Sequence, residues 1–501
     1  MIWLVLLAVV VAVLTVLAVV DVVQNKHAIR HNFPVVGRLR YVLERVGPEL
    51  RQYIVTSNDE ERPFTRDQRR WVYSTAKREN PYFGFGTDNK MDLPQYLLVR
   101  HAAFPYPSPG DDELVPIPAA KVLGEWRDRP RAFRPGSIVN ISAMSYGSLS
   151  ARAIEALNRG AAIAGCLHNT GEGGVSAHHL HGGDLTFQIG TGYFGARDSQ
   201  GRFDLDQLVE KVETMPIKAV ELKLSQGAKP GLGGVLPGAK VTPEIARVRG
   251  VEVGKTVVSP STHSAFDSVP SMIDFVERVA DACGVPVGIK SAVGQRQFWV
   301  ELADDMRSTG RGPDFITIDG GEGGTGAAPL VFADNVSLPF RSALAEVFAT
   351  FAERGMHEQV VWVGAGKLGF PGAALLAMTL GADLINVGRE AMLALGCIQA
   401  QECHTGHCPT GVATQNSWLM RGLDPGVKSA RVANYLVSLR HDLLRLTHAC
   451  GVAHPAMVGG EAIELLLGGE ETVPLWDKYD YDSSWRDPAT ERLKAVAELM
   501  P

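Results

Sequence analysis

The chain changes its hydrophobic pattern twice. Residues 2 to 20, IWLVLLAVVVAVLTVLAVV, carry no charge and no polar face. At about 1.5 Å per residue such a run nearly matches a bilayer core, and a buried soluble helix would still show a polar stripe. A membrane-spanning helix is predicted there. From about 24 to 130 the pattern dissolves into charged, proline-rich and aromatic stretches such as NDEERPFTRDQRRW and FPYPSPGDDELVPIP, which read as an extension wrapped over a main domain. After Pro135 short apolar runs alternate with helical patterns, each run ending in a glycine-rich or polar loop. That alternation predicts parallel βα units.

The strand candidates are 138–143, 166–169, 219–224, 256–260, 286–292, 315–319, 360–364 and 384–388. Eight strands close a barrel, and the loops after them (MSYGS, NTGEGG, SQGAKPG, SPSTH, SAVGQ, DGGEGGTGAAP, GAGKLG, GRE) would share its active face. The predicted fold is therefore α/β: a (β/α)8 TIM barrel over 135–460, an N-terminal transmembrane anchor at 1–23, a wrapped extension at 24–134 and a C-terminal tail at 461–501.

Charge refines this picture. A net charge of -6 and a pI near 6.2 exclude a nucleic-acid footprint. Six cysteines in 501 residues are too few and too unevenly placed for a disulfide scaffold. No basic residue precedes the apolar run, which speaks against a cleaved secretory signal. Lys26, Arg30, Arg38 and Arg40 follow it, so the positive-inside rule predicts a single-pass protein of the cytoplasmic membrane with its catalytic domain facing the cytoplasm.

Three sets of residues carry chemistry. Two loops match GxGxxG, at 321–326 and 364–369. A Rossmann reading of the second would use Asp383, but that residue precedes a strand, where the ribose-binding acid should end one. Backbone N–H groups after the last two barrel strands instead make a phosphate site, with Gly364, Gly366, Gly388 and Arg389 as members and a flavin phosphate as occupant; the competing reading of the glycines is turn geometry alone. Lys290 closes a strand and needs an anion, either the negative charge of a reduced flavin or a carboxylate such as Asp319. Cys397, Cys403 and Cys408, spaced C-x5-C-x4-C, match neither a zinc ribbon nor a ferredoxin run. They suit a three-iron cluster, with a Cys3His zinc site through His404 or His407 as the rival. Cys166, Cys283 and Cys450 read as buried small residues.

SAMSYGSLS, NTGEGG, QGAKPG, GGTGAAP and CHTGHCPTGVATQ stand in one order between about 135 and 416. In this the chain resembles the FMN-binding synthase domain of glutamate synthase. The resemblance implies a barrel carrying FMN and a [3Fe-4S] cluster, in which electrons pass from cluster to FMN and then as hydride to 2-iminoglutarate, formed from 2-oxoglutarate and ammonia. By motif, Met144, Ser145, Gln188 and Lys290 would lie at the flavin ring. Gly320, Gly321, Gly364, Gly366, Gly388 and Arg389 would complete the cofactor site. Cys397, Cys403 and Cys408 would hold the cluster, and Glu172 and Lys229 would face the substrate.

The departures are specific. The family stretch KPGEGGQLPG reads KPGLGGVLPG here, placing Leu232 and Val235 where polar side chains stand. The phosphate loop reads VGAGKLG in place of a TDGGLKTG type, and the cluster loop has GH in place of NT. Neither a glutaminase nor an NAD(P)H domain is recognised, so ammonia and electrons are expected from outside, the latter from a donor such as ferredoxin or a reductase subunit. The expected activity is an EC 1.4-type oxidoreductase. The alternatives are a related synthase that uses another amine, such as N-methylglutamate synthase, and a non-catalytic membrane electron carrier.

Overall fold

The computed structural model describes residues 1–24, 28–79, 84–87, 89–107, 110, 116–485 and 490–500. Lys26, used above for orientation, lies outside them, as do 108–109 and 111–115 of the proline-rich stretch. The chain forms two compact units, Met1–Arg70 and Trp71–Pro501, so the expected extension is divided between them.

In the first unit the apolar run is one helix, Ile2–Val23, with mean hydropathy 3.2 over its best window. Near its C-terminal end Asp21 is buried and accepts both Nε and Nη2 of Arg38 at 2.8 Å. A planar guanidinium suits such a two-point grip on a carboxylate.

The second unit is built on a closed barrel of parallel strands. In chain order these are β1 (Val139–Ile141), β2 (His168–Asn169), β3 (Leu185–Ile189), β4 (Ile217–Lys223), β5 (Val287–Ser291), β6 (Phe315–Asp319), β7 (Val361–Ala365) and β8 (Leu384–Val387). Each pairs with the next, and β8 returns to β1 through Ile385 and Val139. The sequence reading placed a barrel strand at 256–260, and the structure corrects it. Val257–Val258 pairs antiparallel with Val235–Leu236 in a separate two-stranded sheet outside the barrel, and the missing strand is β3. The cause is local: β2 and β3 are joined by a 3-10 turn, Ala177–His179, instead of a helix, so a count of alternating strand and helix passes over β3.

The barrel interior is polar as well as apolar. Glu221 on β4 is 1% exposed. It accepts Asn169 Nδ2 at 2.8 Å, Gln188 Nε2 at 2.7 Å and Thr317 Oγ1 at 2.7 Å. A buried carboxylate persists only when such donors replace its water. At the N-terminal end of the barrel Arg129 forks onto Glu277 at 2.7 and 3.0 Å and reaches both oxygens of Asp314 at 3.1 Å. Leu97–Val99, ahead of the barrel, pairs antiparallel with Ile463–Gly468 behind it, which ties the flanking segments to each other.

Candidate active site

The expected site residues lie at the C-terminal ends of the strands or in the loops just beyond. Met144 and Ser145 follow β1, Glu172 follows β2, Gln188 ends β3, Lys229 follows β4 and Lys290 ends β5. Gly320 and Gly321 follow β6, Gly364 and Gly366 flank the end of β7, and Gly388 and Arg389 follow β8. Parallel pairing puts all these ends on one face.

Glu172 is the electrostatic centre of one side of the barrel mouth. Its Oε1 accepts Lys223 Nζ at 2.7 Å. Burial pushes the carboxyl up, but Lys223, with Arg249 and Lys229 behind it, outweighs burial and holds the group below its ordinary range. Lys229 is 5% exposed and donates to the Gly233 carbonyl at 3.3 Å. Burial draws its ammonium down, Lys223 adds to that, and Glu172 opposes both. Arg249 donates to Ser145 Oγ at 3.1 Å and to the Tyr146 carbonyl at 2.9 Å. Burial lowers it to about 10, against the pull of Glu172. Its Nε is buried with no partner among the described residues, an orphaned donor suited to an anion. His263 backs the group, its Nε2 to the Lys223 carbonyl at 2.9 Å, and burial keeps the ring neutral by lowering its pKa.

The departing stretch of sequence lies against the same carboxylate. A Cβ on Gly234 would meet Glu172 Oε1 at 2.6 Å, so this loop can lie on Glu172 only because it is bare there. Leu232 and Val235 beside it are 38% and 43% exposed.

On the cofactor side, Lys290 Nζ lies 3.3 Å from Asp319 Oδ2. The carboxylate weighed as its alternative partner is thus its neighbour. Burial pulls the Lys290 ammonium down, while Asp319 and Glu221 outweigh that and hold it above its usual range. Gln188 is held by Glu221. Gly366 turns with φ +122°, and a Cβ there would press on the Gly320 nitrogen at 3.1 Å. The β6 and β7 loops therefore meet backbone to backbone, and the glycines leave open the space that side chains would fill. Arg389 donates to the Glu322 carbonyl, and Gly388 caps its helix without a side chain. Bare backbone, a half-buried guanidinium and a buried ammonium together fit a phosphate-bearing, electron-accepting ring.

Cys397, Cys403 and Cys408 lie on one loop, and none of them is in a disulfide. Cys408 is buried, and burial alone would raise it. Backbone N–H groups of Ala413, Thr410 and Val412 and the Thr410 hydroxyl reverse the shift and lower it. Cys403 is raised by burial and by Cys408, with Lys240 opposing. Between Cys397 and Cys403, Gln399 and Gln401 both take left-handed φ, 60° and 58°, a conformation that costs non-glycine residues energy and gathers at functional sites. Among the described residues no three metal-ligating side chains are drawn together. The donor set nevertheless fits a thiolate-bound metal, since the donors around Cys408 stabilise sulfur in its ionised form.

Lys223, Arg249, Lys240 and Glu221 were not singled out from sequence. Lys223 offered the same signal as Lys290, a lysine at the end of an apolar strand. The other three gave none.

Fold and site together define a TIM barrel with a cation-rich mouth and a thiol-rich loop after its last strand. The family model for the conserved region in glutamate synthase matches residues 129–453. The chain is 40% identical over 470 residues to the glutamate synthase large subunit-like protein YerD of Bacillus subtilis, covering 87% of this chain and 89% of that one. It is 34% identical over 347 residues to the archaeal-type glutamate synthase [NADPH] of Thermotoga maritima, covering 69% and 64% respectively. Among solved structures, a mandelate oxidase aligns at 18% identity with a TM-score of 0.44, covering 74% of this chain and 88% of that one. The chain belongs to the glutamate synthase family.

Proposed function

We propose that the protein is a glutamate-synthase-type oxidoreductase that binds FMN and a [3Fe-4S] cluster and reduces the imine of 2-oxoglutarate and ammonia to L-glutamate. The observation that carries this reading is the gathering of Lys223, Lys229 and Arg249 around the ionised Glu172 at the barrel mouth. A dicarboxylic keto acid brings two negative charges, and this site offers cations in excess of its one carboxylate.

Arg249 and Lys229 bind and orient the substrate carboxylates, the former through its unpaired Nε. Glu172, held ionised, accepts hydrogen bonds, so its role is to orient an N–H of the imine rather than to donate a proton. FMN, when bound, supplies hydride, and the cluster supplies single electrons. Lys290 and Arg389 hold the flavin's ring and phosphate ends, Gln188 is fixed for the ring by Glu221, and Cys397, Cys403 and Cys408 hold the iron. The electron donor is external, such as ferredoxin or a reductase subunit. The apolar helix anchors the protein in the cytoplasmic membrane with the barrel on the cytoplasmic side. Deletion of residues 1–23 would then release a soluble, flavin-bearing protein.

The half-exposed Leu232 and Val235 next to the Glu172 loop favour one second reading, in which the amine carries a methyl group and the product is N-methylglutamate. Anaerobic titration of the reduced flavin with 2-oxoglutarate plus ammonia, then plus methylamine, tests both. Reoxidation by the first pair supports the main reading and by the second alone the other; reoxidation by neither refutes both.

A further inference from the structure

Lys240 ends the 3-10 turn Gly238–Lys240 on the loop that also carries Lys229. It is 4% exposed, and among the described residues no carboxylate lies within ion-pair distance of it. Its Nζ instead donates to three carbonyls: Cys403 at 2.7 Å, Ala413 at 2.9 Å and Ser148 at 3.4 Å. Three acceptors around one nitrogen match the three N–H bonds of an ammonium, one more than a neutral amine has.

Carbonyl dipoles alone are poor compensation for a buried cation, whose desolvation costs several kcal/mol. Burial draws the Lys240 ammonium down, and the sulfurs of Cys403 and Cys408 oppose that. Two of its three acceptors lie on the cysteine loop and the third on the loop of Ser145 and Ser148. One buried charge therefore joins the substrate loop, the flavin-side loop and the cysteine loop.

We infer that Lys240 is the built-in counter-ion of the metal group held by the three cysteines, a positioning residue that sets how readily that group takes up an electron. The inference rests on the cluster reading above. Adding an electron makes a thiolate-bound cluster more negative by one charge, and a cation buried against the backbone of one of its ligands stabilises that state over the oxidised one. A bland staple would hold the loops through the same hydrogen bonds without touching the redox equilibrium.

Lys240→Gln and Lys240→Arg separate the two, because glutamine keeps N–H donors while losing the charge. The full chain would be prepared anaerobically with its iron and flavin, and the cluster titrated potentiometrically by EPR. Lys240→Gln is expected to weaken the reduced state at least tenfold, a fall of 59 mV for one electron, while Lys240→Arg stays near the parent. Loss of iron from Lys240→Gln with Lys240→Arg intact also overturns the inference, because glutamine offers two N–H groups where three are needed and a staple explains the loss. An iron-loaded Lys240→Gln with the parent potential, or loss of iron from both variants, overturns the inference and leaves the cluster reading standing. A parent protein that binds no iron overturns both.

Discussion

Replacing Arg129 by methionine tests how the mouth of the barrel depends on its opposite end. The guanidinium is the shared partner of Glu277 and Asp314, and Asp314 also accepts the Val287 N–H at 2.8 Å. Val287 opens β5, the strand that presents Lys290. Removing one member of a buried ion cluster leaves the others desolvated and unpaired, at a cost of about 3–5 kcal/mol. Replacing the whole group by neutral side chains of similar size is often close to neutral. Urea unfolding of the purified full chain, followed by tryptophan fluorescence, should therefore show a large loss for Arg129→Met and partial recovery when Asp314→Asn and Glu277→Gln are added. The loss should also depend on pH. Burial already raises the Asp314 carboxyl, against Arg129, the Val287 N–H bond and Arg127. Without Arg129 it rises further above its unfolded value, so the folded state takes up its proton more readily than the unfolded chain. The penalty is then greatest at neutral pH and shrinks as pH falls through the carboxylate range. A loss below about 1 kcal/mol, the ordinary size for a surface pair, or a triple variant no better than the single one, would refute the reasoning.

Three further outcomes are expected. Lys223→Met takes the nearest cation from Glu172, so the Glu172 carboxyl should protonate at higher pH; the acid limb of the turnover profile should move up, with KM for the keto acid rising at least tenfold, and an unmoved limb would remove Glu172 from the site. Lys290→Met should lower the flavin potential without changing iron content, whereas an unchanged potential in a folded, flavin-loaded variant would limit Lys290 to its ion pair with Asp319. Cys403→Ser should abolish iron while sparing flavin, because no spare cysteine lies in the motif; about one zinc and no iron in the parent would establish the Cys3His site.

Most of the barrel was legible because its strands are buried on both faces and read as apolar runs closed by glycine-rich loops. The exception shows the limit of that signal. LTFQI is as buried as any strand but has no helix before it, while TVVSP looks the same in sequence and sits half-exposed in a two-stranded sheet. The candidate site was legible where a motif concentrates chemistry, as in the cysteine loop, NTGEGG and QGAKPG. It was not legible where a lone charge acquires its meaning from distant contacts. Arg249 belongs to an ordinary helix end and Lys240 to an ordinary turn, and each is defined by partners about 100 to 170 residues away in the chain, at Ser145 for the first and at Cys403 and Ala413 for the second.

Glu221 has a consequence for how the barrel assembles. Its two oxygens accept hydrogens from β2, β3 and β6 while it stands on β4, so the group spans the cylinder instead of linking neighbours alone. If one strand slides by a residue, its donor turns outward and a carboxylate is stranded in a dry interior. Apolar packing tolerates such slippage far better, since one branched aliphatic can replace another. The central carboxylate thus acts as a combination lock that opens to a single alignment of distant strands. The same alignment brings the Gln188 amide and the Lys290 ammonium to the mouth together, so a mispaired cylinder would be both unstable and unable to form its own site.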